Sequence, residues 1–334
     1  MAEELRELQN NVEIVGLLKT KDLKEATTKT GKQAIMGNLV VEVKDGDKVN
    51  NIRVNVFAMK FKKNGEVSGL YKSDLTVMNE FKDIDTVGRD EADFISVSGQ
   101  LSGNDYVNAQ GVLNSSTQVR GTFFNRLTKG TATDHAWATV ETVINSVSDV
   151  ENEDGPTGDK KIEAYTVGYN GTPIELHNII VGAAIAEEFV TMYYPGTTGL
   201  ITYKINNYAE VAEAKPEEQA EKQGFGSSAR VEGSVVGNFV NNLEIIGGEQ
   251  PLDNGTEFTP EQITALIEAR KQAIAVELAK GGTQMSAQTQ GFGGNTAPAQ
   301  PTTTAPWPTP GQQASTPSPF AASPANMSDD FDAF

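Results

Sequence analysis

The run from Ile52 to Phe61 constrains this chain most. Ile52, Val54, Val56 and Ala58 alternate with Arg53, Asn55, Phe57, Met59 and Phe61. A two-residue period places the first set on one face of a β-strand and the second on the other, whereas a helix would scatter both around its circumference. The same alternation marks Val12, Ile14, Gly16 and Leu18, and again Ile35, Leu39, Val41 and Val43. After the third run the period changes: Leu75, Met78 and Phe81 stand three apart and predict a short helix burying that stripe. Strands resume around Phe94–Leu101 and Val112–Phe124, with Gly103-Asn104 and Gln110-Gly111 as expected turn points.

Three strands, a helix and two strands are the element order of the five-stranded OB barrel, a fold used repeatedly for oligonucleotides. The order recurs downstream. Thr139–Ser148, Lys161–Tyr169 and Pro173–Val181 read as strands, and Ala183–Tyr193 as a helix with Ile185, Phe189 and Met192 on one side. Leu200–Tyr208 and Arg230–Ile246 supply the last strands, around a polar loop from Glu210 to Ser228 that carries KPEEQAEKQ. Thr259-Pro260-Glu261-Gln262 then opens a helix: Thr259 caps, Pro260 suits the first helical position and Gln262 closes a capping box. Ile263, Leu266, Ile267, Ile274 and Leu278 form its stripe, and Gly281-Gly282 is the expected stop. The expected fold is mainly β: tandem OB-fold-like five-stranded barrels over residues 1–130 and 131–258, a C-terminal helix over 259–280, and a disordered tail.

Residues 281–328 contain no charged side chain and are rich in Gly, Gln, Pro, Thr and Ser. Such a segment cannot bury enough apolar area to offset the entropy of ordering, so a disordered linker is expected. The last six residues, 329–334, differ: Asp329, Asp330, Phe331, Asp332, Ala333 and Phe334.

A net charge of −18 argues against a polyanionic partner until its distribution is considered. Residues 1–130 hold 18 Lys plus Arg against 18 Asp plus Glu, so the acidic excess lies entirely downstream. Screening over about 8–10 Å lets a local cation cluster on a neutral domain act independently of that excess. The chain has no cysteine, which excludes disulfides and thiolate metal sites. It has no apolar run of membrane-spanning length, and its start, Met1–Asn11, is charged and lacks the apolar core of a secretory signal. A cytoplasmic protein is expected.

The neutral Gly/Gln/Pro linker closing on clustered aspartates and a terminal phenylalanine resembles the tail of bacterial-type single-stranded DNA-binding proteins, of a phage-encoded kind. Asn11-Val12-Glu13-Ile14-Val15-Gly16 is similar to the opening strand of that family's barrel. The resemblance implies single-stranded DNA as partner, binding and protection of it during replication, recombination and repair, and, for a phage-encoded member, a place in the host cytoplasm. It also implies docking of replication and recombination proteins on Asp329, Asp330, Phe331, Asp332 and Phe334, with Phe334 as anchor. The tip departs from the family's pattern, since Phe331 interrupts the acids and Ala333 stands where that family has proline. The second barrel is a further departure.

Non-specific single-strand binding requires cations that follow the backbone and flat rings on which bases stack. Arg53, Phe57 and Phe61 share the polar face of the third strand, with Lys60, Lys62 and Lys63 around its end and Tyr71-Lys72 beyond. Lys19, Lys21 and Lys24 are expected near the loop leaving the first strand, and Tyr106 near the last turn. Phe57 and Phe61 stack on bases in one reading and lie buried under the helix in the other. Tyr71 and Tyr106 carry hydroxyls that tolerate solvent and are expected platforms. The second barrel has few cations but carries Tyr165, Tyr169, Tyr193, Tyr194, Tyr203 and Tyr208, and reads equally as a DNA-contacting or a structural module.

No catalytic constellation emerges, and neither enzyme activity nor a cofactor is expected. The two histidines, His135 and His177, match no metal motif, and Thr30-Gly31-Lys32 is followed by Gln33 where a phosphate loop needs Ser or Thr. Two other readings share these features: a β-barrel interaction scaffold with an acidic tail, and an RNA-binding chaperone of cold-shock type.

Overall fold

Among the described residues, ten strands and four α-helices form the body of the chain. The structure, a computed structural model, describes residues 5–153, 155–210 and 238–289, with 281–289 as helix backbone. The expected linker beyond 289, the acidic tip and nearly all of the 210–228 loop lie outside the described residues.

Strands β1 (Asn10–Thr27), β2 (Gln33–Asp45) and β3 (Lys48–Met59) precede helix α1 (Gly69–Glu80) and the single turn α2 (Ile84–Val87), followed by β4 (Phe94–Val107) and β5 (Leu113–Leu127). Strand β1 closes the first barrel by pairing with β4 over Val12–Leu17 and with β2 from Leu17 onward. Gly16 sits at that switch, where a Cβ would come within 2.3 Å of the Glu42 carbonyl oxygen; only glycine permits the approach. Strand β3 meets β5 in parallel at Val54↔Val119 and Asn55↔Arg120, which completes the closed order 1-2-3-5-4-1 of an OB barrel.

The second half repeats this: β6 (His135–Asn152), β7 (Gly155–Gly168), β8 (Thr172–Val181), helix α3 (Ala183–Met192), β9 (Thr198–Ala209) and β10 (Phe239–Gly248). Strand β6 pairs with β7 and β9, and β8 meets β10 in parallel, giving the same closed order. Strands β1 and β6 also pair antiparallel, from Asn10↔Val140 to Val15↔His135, so the two barrels share one ten-stranded sheet. The switch between partner strands falls at Leu17 in β1 and Val143 in β6. Matching those positions puts Val12 on Ala138, and these two residues face each other directly, so a local two-fold axis passes through that pair.

Inward residues of both barrels, among them Ile14, Val54, Ile95, Val140, Ile179 and Tyr203, join in one apolar core. At roughly 1.5–3 kcal/mol per buried large apolar side chain, this shared core is the main force holding the barrels together.

Several local expectations change. Gly103 and Asn104 lie inside β4, opposite Thr117 and Ser116, and the turn falls at Asn108–Val112. Helix α1 buries Tyr71, Asp74 and Val77, with Phe81 just beyond its end, while Leu75 and Met78 are only half-buried. The stripe is set by what lies beneath, since Tyr71 packs on Ile35 and Ala58. The C-terminal helix α4 (Pro260–Thr289) opens with the expected capping box: Gln262 N donates to Thr259 Oγ1 at 3.2 Å and Thr259 N to Gln262 Oε1 at 3.0 Å. It continues through Gly281-Gly282, which the sequence marks as a stop.

Candidate nucleic-acid interface

Burial of Ile52, Val54, Val56 and Ala58 turns Arg53, Asn55 and Phe57 outward on β3. Because β5 runs parallel beside it, Gln118 and Arg120 share that outer face. Asn55 Nδ2 donates to Gln118 Oε1 at 2.7 Å, and the Arg120 guanidinium lies 6.0 Å from the Phe57 ring centroid. Strand β2 adds Met36 and Asn38 opposite Phe57 and Asn55, and β4 adds Ser102 and Asn104 opposite Gln118 and Ser116. The result is a trough across β2, β3, β5 and β4.

One end of the trough is formed by Lys32, Phe57, Phe61, Lys62, Lys63 and Arg120. Its middle is lined by Lys24, Asn38, Asn55, Phe57, Ser102 and Arg120, with Asp22 as the one acid among the described residues. The far end holds Arg53, Asn104 and Tyr106, and there Ile205, Asn207 and Asn241 of the second barrel join the lining. Phe57, Phe61 and Tyr106 are 40%, 52% and 51% exposed, so their rings are open to a ligand. Among the described residues Lys24, Lys32, Arg53, Lys63 and Arg120 have no carboxylate partner within salt-bridge distance, unlike Lys62, which pairs with Glu66 at 3.7 Å. Asn38 Oδ1 and Ser102 Oγ are buried without a hydrogen-bond partner. Buried polar atoms are rarely left unsatisfied, and two in one trough suit a site whose ligand supplies the missing bonds.

The remaining sequence candidates are placed differently. Tyr71 is 4% exposed beneath α1 and cannot stack on a base; its ring is needed for packing on β2 and β3. Lys19 and Lys21 lie within β1, which continues to Thr27, rather than beside a loop. Lys19 Nζ donates to Asn51 Oδ1 at 2.7 Å and Lys21 Nζ to the Phe81 carbonyl at 2.6 Å, so both charges serve local structure. Lys60 is half-buried with its ammonium 5.8 Å from the Phe61 ring and 5.7 Å from that of Tyr71. Lys72 is exposed on α1 and does not line the trough. Sequence reasoning missed Arg120, Gln118, Asn55 and Asn38. For Arg120 and Gln118 the signal was their position either side of inward Val119; what was not legible is that β5 lies next to β3.

Among the described residues the corresponding face of the second barrel is partly covered. Tyr165 and Val167 on the outer side of β7 are covered by Leu266 of α4, Phe258 and Leu8 of the N-terminal segment. Arg270 of α4 is buried across the two barrels, with Nη1 and Nη2 donating to Asp105 of β4 at 2.5 and 2.8 Å and Nε to Glu175 of β8 at 3.0 Å. Hydrogen bonding to Arg270 holds the Asp105 carboxyl below the usual carboxylate range. Tyr193, Tyr203 and Tyr208 are core residues; Tyr169 and Tyr194 are exposed. Among the described residues no group of His, Asp and Glu is arranged to hold a metal ion, and no helix is long and apolar enough to cross a membrane.

Known structures offer a distant likeness. The wild-type single-stranded DNA binding protein from Thermus aquaticus is 13% identical, with a TM-score of 0.46 over 76% of this chain and 98% of that one. A deletion mutant of the same protein gives 14% identity and a TM-score of 0.45. The S. cerevisiae mitochondrial single-stranded DNA binding protein Rim1 is 10% identical, with a TM-score of 0.25 over 37% of this chain and 100% of that one. No curated protein matches the sequence. A family model does match, over residues 9–279, which takes in both barrels and most of α4: the chain belongs to the YorF family.

Proposed function

We propose that this protein binds single-stranded DNA in the trough of its first barrel, chiefly through the phosphate backbone and base stacking, and catalyses no reaction. The observation that carries this reading is the meeting, in one trough, of open aromatic rings and cations that, but for Lys62, have no carboxylate partner among the described residues. Unpaired cations neutralise phosphates, exposed rings accept bases of any identity, and neither term demands a particular sequence. A duplex hides the base faces that Phe57, Phe61 and Tyr106 would use, so single strands are favoured.

In this reading residues 1–130 supply most of the affinity, and 131–258 contribute at the far end of the trough. The protein coats and protects single strands during replication, recombination and repair. The rest of the expected linker, beyond α4 at 290–328, tethers the acidic tip, and Asp329, Asp330, Phe331, Asp332 and Phe334 recruit partner proteins through a basic pocket with an apolar floor on the partner.

Filter binding with oligo-dT, oligo-U and duplex competitors tests the reading. Neutralising about five phosphates with Lys24, Lys32, Arg53, Lys63 and Arg120 should give a slope of log K against log salt near −3.5, at roughly −0.7 per phosphate. Equal affinity for duplex and single strands would refute it.

A further inference from the structure

Where the trough reaches the second barrel its chemistry changes. The cleft between the barrels is lined by Asn55, Asn104, Gln118, Asn207 and Asn241 over a floor of Val119 and Ile205, and among the described residues Arg53 is its only Lys, Arg, Asp or Glu. It continues inward past Ser116, Thr117, His177, Asn178 and Asn242, where no Lys, Arg, Asp or Glu among the described residues lines it. A phosphate gains nothing in that inner part, where among the described residues no Lys or Arg replaces its lost hydration. A nucleobase fits: it is uncharged and flat, and its edge carries both donors and acceptors. An amide side chain matches that mixture with one acceptor and two donors on the same group.

Two further observations point to a ligand in this cleft. Among the described residues the side-chain amides of Asn207 and Asn241 make no hydrogen bond, and Asn55 and Gln118 use only one donor and one acceptor on each other. Strand β8 also bulges here. Ile179 pairs with Ile162 and Leu176 with Ala164, leaving His177 and Asn178 opposite Glu163 alone, and Asn178 takes φ 58°. A bulge re-aims side chains and is a common device beside binding sites. This one is held across the barrel boundary, since His177 N donates to Thr117 Oγ1 at 2.8 Å.

We infer that the cleft between the barrels takes one nucleobase turned out of the bound strand and reads its edge with amides from both barrels, chiefly Asn207 and Asn241. The inference rests on the proposed DNA binding and deepens it. Most of the covered strand is held without regard to sequence, and one position along it is selected. Tyr106 and Arg53 flank that position, as a stacking surface and a phosphate contact.

The test uses the full chain, labelled dT, dC and dA oligonucleotides of equal length, and fluorescence anisotropy at fixed salt. The unaltered protein should separate its best and worst homopolymer by about tenfold, the order expected for one well-read base edge. The double variant Asn207→Ala/Asn241→Ala should compress that range to about twofold with its salt slope unchanged, because no phosphate contact is lost. Arg120→Ala should instead weaken all three similarly and make the slope shallower by roughly 0.7. A homopolymer ranking that survives in the double variant, or no ranking in the unaltered protein, overturns the base-reading cleft and leaves DNA binding standing. No binding of any homopolymer by the unaltered protein removes both. Photocrosslinking of a 5-iodouracil oligonucleotide to the unaltered chain gives a check that needs no variant: adducts at Tyr106 and His177 are expected, and adducts confined to Phe57 and Phe61 overturn the inference.

Discussion

Replacing Arg270 by Met should destabilise the whole body by about 3 kcal/mol at neutral pH. Arg270 is 4% exposed and makes three charge-assisted hydrogen bonds, two to Asp105 and one to Glu175. Methionine retains much of the packing volume but leaves both carboxylates without their cation. Breaking a buried pair from one side costs roughly 3–5 kcal/mol, and the lower end applies because Asp105 and Glu175 keep partial access to water. Urea denaturation of the full chain at low salt measures it as a shift in midpoint at constant slope. The pH dependence has a fixed sign. The Asp105 pKa is depressed in the folded state by Arg270, so the contribution is present above the ordinary carboxylate range and is lost as pH falls through the depressed value. The difference between Arg270→Met and the unaltered protein should therefore narrow below about pH 4. Adding Asp105→Asn and Glu175→Gln to Arg270→Met should restore much of the loss, because no uncompensated charge then remains. A loss under about 1 kcal/mol at pH 7, or a gap that widens in acid, would refute the reasoning.

Other outcomes follow from particular side chains. Phe57→Ala should weaken single-strand binding by about 1–3 kcal/mol per lost stack without altering stability much, whereas Tyr71→Ala should lower stability by about 3–5 kcal/mol and affect DNA only through the fold; anisotropy and urea titration of both variants separate these effects. Burial pushes the Asp74 carboxyl up to about 6, and its Oδ1 has no partner. Its folded pKa is raised, so stability present below pH 4 is lost as pH rises through 6, and Asp74→Asn should stabilise the protein at pH 8 by on the order of 2–3 kcal/mol and little at pH 4, read by denaturation at both. Deleting residues 329–334 should abolish capture of replication and recombination proteins in pull-downs and leave DNA affinity unchanged or slightly higher; equal capture by the deleted and full chains would reduce the tip to a solubility tail.

Local periodicity carried a great deal. Alternation in Ile52–Met59 determined which side chains β3 turns inward and which outward, because a strand has two faces and burial selects the apolar one. Repetition of the element order was enough to expect two barrels, and Thr259 with Gln262 was enough to start α4, since a capping box closes within four residues. What only the tertiary structure decided involves residues distant in the chain. Tyr71 and Leu75 lie close to each other on α1, and their order of burial depends on Ile35 and Ala58 beneath the helix. Lys19 and Lys21 look like free cations until Asn51 and the Phe81 carbonyl are brought beside them. Arg120 reaches Phe57 only through the parallel β3–β5 pairing, and the cleft exists only because β1 joins β6. Arg270, one charge in a polar helix by sequence, spans two barrels because Asp105 and Glu175 converge on it. Hydrophobic period is a property of neighbouring residues and survives in one dimension. The partner of a charge or a ring is set here by chain closure over 32 to 165 residues, and no local pattern encodes it.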